Sequence, residues 1–330
     1  MIEVAVGAAP FGEMPSNQEI LQRAKALMPE AARHEPDQHV VSRVILKQFT
    51  EPCGEKGELL LASLNVRHPE RRIVRGGPAR FGKIPNYLRF ASSSAEDLWG
   101  QTETRLHEPL EAIKRDDRIA EASHEVIIRD AIALHFVRSI PTAALHQTTW
   151  AERREAARQQ WRNNPQLLQW IHVNAFGWWT DDPARLELAL DEFYRPVDEL
   201  VASDAVFRIS LEDRFERVRK GFEAFGLKVL SSHDREFLIG DVPVLAMREG
   251  HGGLGIFDGV GLANADEIVL PLTPHHVVVL GQGNESRQAT GDEVDRYNTL
   301  QVRIAYRYVY FRPGSGLTAF VRSLLCADAA

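Results

Sequence analysis

The sequence predicts an α+β fold, in which a predominantly helical body packs with a small, mostly antiparallel β-sheet from the C-terminal third. Two observations predict this class. Between about residues 95 and 225, apolar side chains recur at helical spacing. Beyond residue 225 they alternate in short runs separated by Gly, Asp, Asn and Pro, which is typical of an antiparallel meander.

The N-terminal part of the chain predicts two helices followed by two strands. The helices are expected over 17–32 and 39–49, and the second should end before Pro52 and Gly54. The short apolar run 58–66, flanked by Gly and Pro, suits a strand, and another strand is expected over 72–75.

The central part predicts a layer of helices. Residues 95–115 are amphipathic, with Ser94 in a capping position and Pro109 where it should kink or divide the helix. Residues 119–139 are so densely apolar that they predict a buried central helix, which ends at Pro141. Further helices are expected at 150–162, 166–177, 184–201 and 205–224.

The last third predicts strands at 227–231, 237–239, 242–247, 267–272 and 276–280, followed by a helix over 293–309. We therefore expect one large domain over 1–330. Its helical body would cover about 95–225, and its β-rich part, about 226–285, would pack with the strands from about 57–76.

Composition limits the class of protein. The chain has 330 residues, of which 44% are hydrophobic and 26% charged, so it is neither disordered nor a single small module. Its net charge of −7 argues against general coating of nucleic acid. With only Cys53 and Cys326, and no apolar stretch long enough to span a membrane, a soluble cytoplasmic protein without membrane contact is expected.

Several common catalytic signatures are missing or out of context. Residues 250–255 match G-x-G-x-x-G, but they lead into a strand, where a dinucleotide site needs a helix N-terminus. We interpret 250–261 as a flexible loop. P-loop, nucleophile-elbow and zincin motifs do not occur, and no His or carboxylate spacing favours a metal. The sequence thus predicts no cofactor and no metal site.

The pattern of His39, Val41, Ser42, Leu46 and Phe49 is followed, in order, by the segments 99–103, 133–139, 237–244 and 269–274 and by Asn298. Taken together, these segments resemble the DUF4238 family, a bacterial domain of unknown function. Gly240 stands where the family pattern leads us to expect Ser. The resemblance covers about 39–312 and implies no particular activity.

The most specific catalytic hypothesis comes from Arg129 and His135. Their spacing, with Asp130 after the arginine, fits the R-x4–6-H pattern of HEPN ribonucleases. In such sites Arg steadies phosphate charge, His moves a proton during attack by the RNA 2′-hydroxyl, and the site usually forms across a helix dimer. Six residues place the two side chains about 120° apart on an ideal helix, so a purely structural pair is the alternative.

Other ionisable residues are expected to converge in the helical body. Glu103 can pair there with Arg43, Arg129 or Arg138. Such a network is either structural or a polar pocket in which His39 or His135 has a shifted pKa and acts as acid or base.

Two further features have both structural and functional interpretations. Asp241, before Pro243, suits an Asx-type turn, or else a metal-binding or catalytic carboxylate at a strand end, although the spacing does not strongly support a metal. The arginine runs at 67–72 and 153–154 are interleaved with Glu and are interpreted as solvated faces.

The sequence leads to two hypotheses. In the first, the chain is an RNase-like enzyme that acts on a phosphodiester and has a bacterial toxin or phage-defence role. RNA would bind in a local cleft, and a homodimer is a possible assembly. Its catalytic residues would be His39, Glu103, Arg129, His135 and Asp241, and its substrate-binding residues Arg43 and Arg138. In the second, the protein is a non-catalytic binding or regulatory protein, with the same groups forming a structural network and the loop 250–261 contacting a partner.

Overall fold

The computed structural model describes residues 17–30, 33–55, 57–248 and 262–327, so the glycine-rich loop 250–261 lies outside the described residues. The helices are α1 (Asn17–Leu27), α2 (Arg43–Gln48), α3 (Ser92–Arg105), α4 (His107–Asp116), α5 (Ala122–Val137), α6 (Ile140–Arg162), α7 (Pro165–Phe176), α8 (Pro183–Ala202), α9 (Ala205–Phe222), α10 (Gly291–Ile304) and α11 (Leu317–Ala327). Within these ranges no helix is both long and apolar enough to cross a membrane.

The strands are β1 (Asp37–His39), β2 (Glu51–Cys53), β3 (Glu58–Asn65), β4 (Val74–Gly76), β5 (Lys83–Pro85), β6 (Gly226–Ser231), β7 (Ile239–Gly240), β8 (Leu245–Met247), β9 (Glu267–Thr273), β10 (His276–Gly281), β11 (Arg287–Gln288) and β12 (Tyr308–Phe311). The α+β class predicted from the sequence is confirmed. The strands, however, form several sheets rather than one small sheet.

Each larger sheet has its own connectivity. One has the order β11-β6-β10-β9-β8 and is antiparallel except at β11. The other has the order β2-β3-β12-β7, with β4 also on β3, so strands from the two ends of the chain pair directly. The short strands β1 and β5 pair with each other, and His39 lies opposite Lys83.

The predicted helical layer is present, and Pro109 does mark a division. The break between α3 and α4 falls at Leu106, so Pro109 lies in the first turn of α4, where its missing N–H disturbs no helical hydrogen bond. The expected cap at Ser94 is wrong, because α3 begins two residues earlier, after Ala91. The Ser94 hydroxyl instead donates to the Ala91 carbonyl over 2.9 Å.

Two predicted helices are too long. The pattern over 39–49 divides into β1, ending at His39, and α2, for which Ser42 is the N-cap and accepts from the Val44 N–H over 3.2 Å. Similarly, α10 stops at Ile304, and four aromatic or β-branched residues then form β12. These residues are buried on both faces of their sheet, apart from Tyr308, so their continuous apolar character fits a helix and a strand equally well.

A single large apolar cluster joins the helices to the five-stranded sheet β11-β6-β10-β9-β8. It includes Ile128 and Leu134 of α5, Phe222 of α9, Val229 of β6 and Val278 of β10, all nearly or fully buried. That the whole chain 1–330 forms one domain with the predicted internal division stays a prediction.

Two buried amide side chains of α10 support the segment that contains β7. Asn298 accepts from the Leu238 N–H (2.9 Å) and donates to the Glu236 carbonyl (2.8 Å). One turn later, Gln301 accepts from the Gly240 N–H (2.7 Å) and donates to the Pro243 carbonyl (2.8 Å). These amides take the place of a neighbouring strand, because buried backbone groups need partners.

We expect Asn298→Ala and Gln301→Ala each to lower the free energy of unfolding by about 2 to 4 kcal/mol, because each leaves two buried backbone groups without a partner. Chemical denaturation of the purified variants measures this loss. Arg296→Ala, at an exposed position of the same helix, is the control and should change stability by less than about 0.5 kcal/mol. Equal stability of all three variants would contradict the support role of the two amides.

Candidate functional site

Arg138, the residue that ends α5, is the centre of a buried polar cluster. Its side chain is 1% exposed and forms an ion pair with Glu103 of α3. The guanidinium also lies 5.3 Å from the ring centroid of Trp99, one helical turn before Glu103. Because a buried charge without a partner costs several kcal/mol, this pair joins the end of α5 firmly to α3. Nε and Nη1 of Arg138 have no hydrogen-bond partner among the described residues.

The pKa of Glu103 reflects this pairing. Burial alone raises the pKa of the carboxyl, but the charge of Arg138 and the hydrogen bonds from Arg138 and Ser42 outweigh burial and hold the pKa below its ordinary value. Glu103 is therefore a carboxylate at neutral pH. Its oxygens accept hydrogen bonds from Ser42, the N-cap of α2, and from Arg138 at the end of α5.

His135 connects the same helices through both ring nitrogens. Nδ1–H donates to the Ala131 carbonyl over 2.7 Å, and Nε2 accepts from the Ser42 N–H over 3.0 Å. Burial, and next the charge of Arg138, lower the pKa of His135 to about 4. The ring is therefore neutral at pH 7, and its only lone pair is already occupied by a backbone donor.

His39 lies beside this network but differs from His135 in its contacts. The residue is partly exposed, and its Nε2 is buried without a hydrogen-bond partner among the described residues. Burial is the main cause that lowers the pKa of His39 to about 4, and the cations Lys83, Arg138 and Arg43 add to it. His39 is thus a neutral imidazole at pH 7, with a buried Nε2 that makes no hydrogen bond to the described residues.

Glu96 is a site residue that the sequence analysis missed. It lies on α3, its carboxylate accepts from the backbone N–H of His39, and its Oε1 has no partner in the described part of the chain. Burial raises the pKa of Glu96 to about 7. Its position three residues before Trp99 and seven before Glu103 is the signal that would have found it, since these spacings share one helix face.

Several charged groups lie near His39. Arg43 is exposed at the start of α2, and Lys83 lies opposite His39 in the β1–β5 pair. Glu103 is paired with Arg138, and Lys83 lies 3.9 Å from Asp37. Among the described residues, Arg43 is therefore the cation near His39 for which no ion pair is found.

Two of the predicted site residues lie away from this cluster. Arg129 donates from Nη1 to the Phe222 carbonyl over 2.5 Å, at the C-terminal end of α9, and lies 3.9 Å from Glu125. Burial lowers its pKa. Arg129 and His135 thus contact different neighbours, as their angular separation on one helix suggests.

Asp241 is the other residue apart from the cluster, and its contacts match the predicted turn. Its carboxylate accepts from the backbone N–H groups of Tyr306 (2.7 Å), Arg307 (2.8 Å) and Tyr308 (3.0 Å). The residue is 5% exposed. These bonds hold the segment that leads into β12, and burial raises the pKa of Asp241 to about 6.

A second group of ionisable side chains joins α4 to the β9–β10 turn. Asp117, which ends α4, accepts from His276 Nε2 at 2.7 Å and from His233 Nε2 at 3.2 Å. On its other side, His276 lies 2.8 Å from the Thr273 hydroxyl. The preceding residue, His275, is half-buried, whereas His276 is buried, so the two rings have different surroundings.

Metal binding finds no support in the described ranges, where no three His, Cys, Asp or Glu side chains are grouped so that they could hold a metal ion.

The fold and the site together define an α+β protein with a buried polar cluster held between α2, α3 and α5. A family model described as "Protein of unknown function (DUF4238)" matches residues 37–315, so the chain belongs to this family. Searches of curated proteins and of solved structures find no match. The match contains every residue of the cluster.

Because folded His135 has a pKa near 4 and an unfolded histidine one near 6.5, acidification protonates the unfolded chain first. Stability from this group is complete above about pH 6.5 and is lost as pH falls towards 4. We expect His135→Gln, which can keep both hydrogen bonds, to reduce the loss of unfolding free energy between pH 7 and pH 4 by up to about 3 kcal/mol. Denaturant titrations at the two pH values measure this difference.

His107→Gln, at an exposed position of α4, is the matched control and should lose as much stability on acidification as the unmodified protein. An acid-induced loss that is the same in all three proteins would show that His135 is not buried in its neutral form.

Proposed function

We propose that the chain is a phosphodiester-acting, RNase-like enzyme in which His39 and Glu96 transfer protons. One observation carries the proposal: the unpartnered Nε2 of His39 and Oε1 of Glu96 lie in the same small region, among cations. Leaving a buried polar atom without a partner costs about 1 to 3 kcal/mol. A fold that keeps two such atoms together gains from them in another way, and proton transfer to a ligand is the chemistry they suit.

The protonation states match general acid–base cleavage of RNA. Neutral His39 accepts the proton of the attacking 2′-hydroxyl at Nε2, as the new bond forms between the 2′-oxygen and phosphorus. Glu96, with its pKa near 7, donates its proton to the 5′-oxygen as the phosphorus–oxygen bond to this leaving group breaks. Arg43 and Lys83 supply positive charge for the phosphate.

The remaining cluster residues act by positioning. Glu103, His135 and Arg138 hold α2, α3 and α5 together through the ion pair and the Ser42 contact. This arrangement sets His39, which precedes α2, against Glu96 on α3. Arg129 and Asp241 stabilise α9 and β12 instead. Cleavage of cellular RNA stops growth, which is consistent with a toxin or phage-defence setting.

We expect the unmodified protein to cleave a single-stranded RNA oligonucleotide. His39→Gln and Glu96→Gln should each lower the rate by about 100-fold or more, because each removes one proton-transfer group. The measurement is a fluorescence-quench assay of cleavage, with unfolding free energies recorded in parallel. His107→Gln is the control and should cleave at the unmodified rate. If both cluster variants cleaved as fast as the control, His39 and Glu96 would not be the catalytic pair.

The cleavage rate should depend on pH in a bell shape. It rises as His39 loses its proton through about pH 4 and falls as Glu96 loses its proton through about pH 7. Values of kcat/KM for RNA cleavage across this range, within the limits of folding, test the assignment, because kcat/KM reports the pKa values of the free enzyme. Loss of the upper limb in Glu96→Gln supports the acid role of Glu96, whereas an unchanged upper limb assigns that limb to another group.

A non-catalytic binding or regulatory protein is the second candidate. The saturated contacts of His135 favour it, since a purely structural network needs its members satisfied. In that case the unmodified protein cleaves no RNA, and His39→Gln and Glu96→Gln alter only stability.

A further inference from the structure

A second surface of the molecule combines arginines with exposed aromatic rings. The turn after β3 and the start of β12 enclose an open cavity of about 550 Å³. Arg67, His68 and Arg71 line it from the first segment, and Tyr306, Arg307 and Tyr308 from the second. The sequence analysis interpreted the first segment as a solvated face, because its arginines are interleaved with Glu. The second segment lies more than two hundred residues away in the chain.

Two of the arginines of this pocket, Arg67 and Arg307, lie against Tyr306. Arg67 donates from Nε to the Tyr306 carbonyl over 3.0 Å, and its guanidinium lies 6.0 Å from the Tyr306 ring centroid. The guanidinium of Arg307 lies 5.1 Å from the same centroid. Arg322 of α11 donates to the Pro69 and Arg71 carbonyls, each over 3.0 Å, which fixes the turn.

The positive charge of the pocket is not cancelled by carboxylates. In the ranges that the structure describes, Arg67, Arg71 and Arg307 form no ion pair, and each is exposed. The carboxylate of Asp241 lies beneath, 5% exposed, and its oxygens are occupied by backbone N–H groups of residues 306–308. Glu70 contacts His68 at 3.5 Å but is 69% exposed and turned to solvent.

Tyr308 adds a flat apolar surface beside these charges. It is 38% exposed, although the following residue of β12, Val309, is fully buried. Unpaired guanidinium groups bind phosphate, and an exposed aromatic ring stacks with a base. A cavity of this volume that offers both features matches one nucleotide of a flexible strand. A simple anion would use the guanidinium groups but would not need an aromatic ring.

We infer that this pocket binds single-stranded nucleic acid, with Arg71 and Arg307 on phosphates and Tyr308 stacked on a base. The surface is distinct from the His39–Glu96 cluster and goes beyond the proposed function, since binding here requires no catalysis. It gives the chain a specific contact for nucleic acid despite the overall charge of −7.

The test uses fluorescence anisotropy with a labelled single-stranded DNA oligonucleotide, which lacks the 2′-hydroxyl needed for the proposed cleavage. The double variant Arg71→Gln/Arg307→Gln should flatten the plot of log Kd against log salt concentration by about 1.4, at about 0.7 for each phosphate contact on a single strand. Tyr308→Leu should weaken binding about tenfold, whereas Tyr308→Phe should retain the affinity to within about twofold.

Arg185→Gln is the matched control, because Arg185 also lies over an aromatic ring, 4.9 Å from the centroid of Trp178, on a different surface. It should bind like the unmodified protein. An unchanged salt dependence in the double variant, or equal weakening in Arg185→Gln, overturns the proposal. Weakening in the arginine variants with full affinity in Tyr308→Leu shows a general polyanion site and likewise overturns it.

These experiments test the binding hypothesis and the cleavage hypothesis separately, so either one can be wrong while the other holds. His107→Gln, which lies outside both the pocket and the His39–Glu96 cluster, should bind the DNA oligonucleotide as tightly as the unmodified protein. Tight binding without RNA cleavage supports the pocket and contradicts the enzyme, and cleavage without an effect of the pocket variants does the reverse.

Discussion

The buried ion pair between Arg138 and Glu103 is the constraint on which the site depends. A guanidinium that is 1% exposed has lost nearly all of its hydration, so the chain must bring a carboxylate to it. Glu103 can meet Arg138 only if α3 packs against the end of α5. Trp99, on the same face of α3, then lies over the guanidinium. The charge therefore selects one packing of these helices, which apolar contacts alone would specify less sharply.

The position of α2 follows from this packing. Ser42 offers its backbone N–H to His135 and its hydroxyl to the Val44 N–H and to Glu103. Gly82 adds a second attachment, because its carbonyl accepts from the Val40 N–H over 2.8 Å and its own N–H donates to the Tyr310 hydroxyl over 3.2 Å. With a φ of +68° and Val41 and Leu46 close by, this position suits only glycine. The same strand, β12, thus supports the polar cluster through Tyr310 and lines the arginine–tyrosine pocket through Tyr308.

Much of the helical layer can be predicted from the sequence, because 3.6-residue periodicity is local and repeats over many turns. The sequence also predicted that His39, Glu103, His135 and Arg138 converge, because ionisable residues on densely apolar segments need polar partners when those segments are buried. The end of α10 and the start of β12 were not, because Tyr308 to Phe311 owe their strand to pairing with β3, far away in the chain. Glu96 was missed although its spacing from Trp99 and Glu103 places it on their helix face, because spacing alone does not show whether a carboxyl on that face is buried. The arginine–tyrosine pocket needed two segments whose proximity only the sheet defines.

The comparison of His39 with His135 shows why pKa values alone do not identify a catalytic group. Burial lowers the pKa of both rings to about 4, so both are neutral at pH 7. His135 uses its lone pair to accept a backbone N–H, and a ligand would have to break that bond before a proton could reach Nε2. His39 has the same protonation state but an unengaged Nε2, next to a carboxyl that is half protonated near pH 7. The difference between a structural and a chemically available histidine therefore lies in hydrogen bonding, which the fold decides and the spacing of residues in the sequence does not.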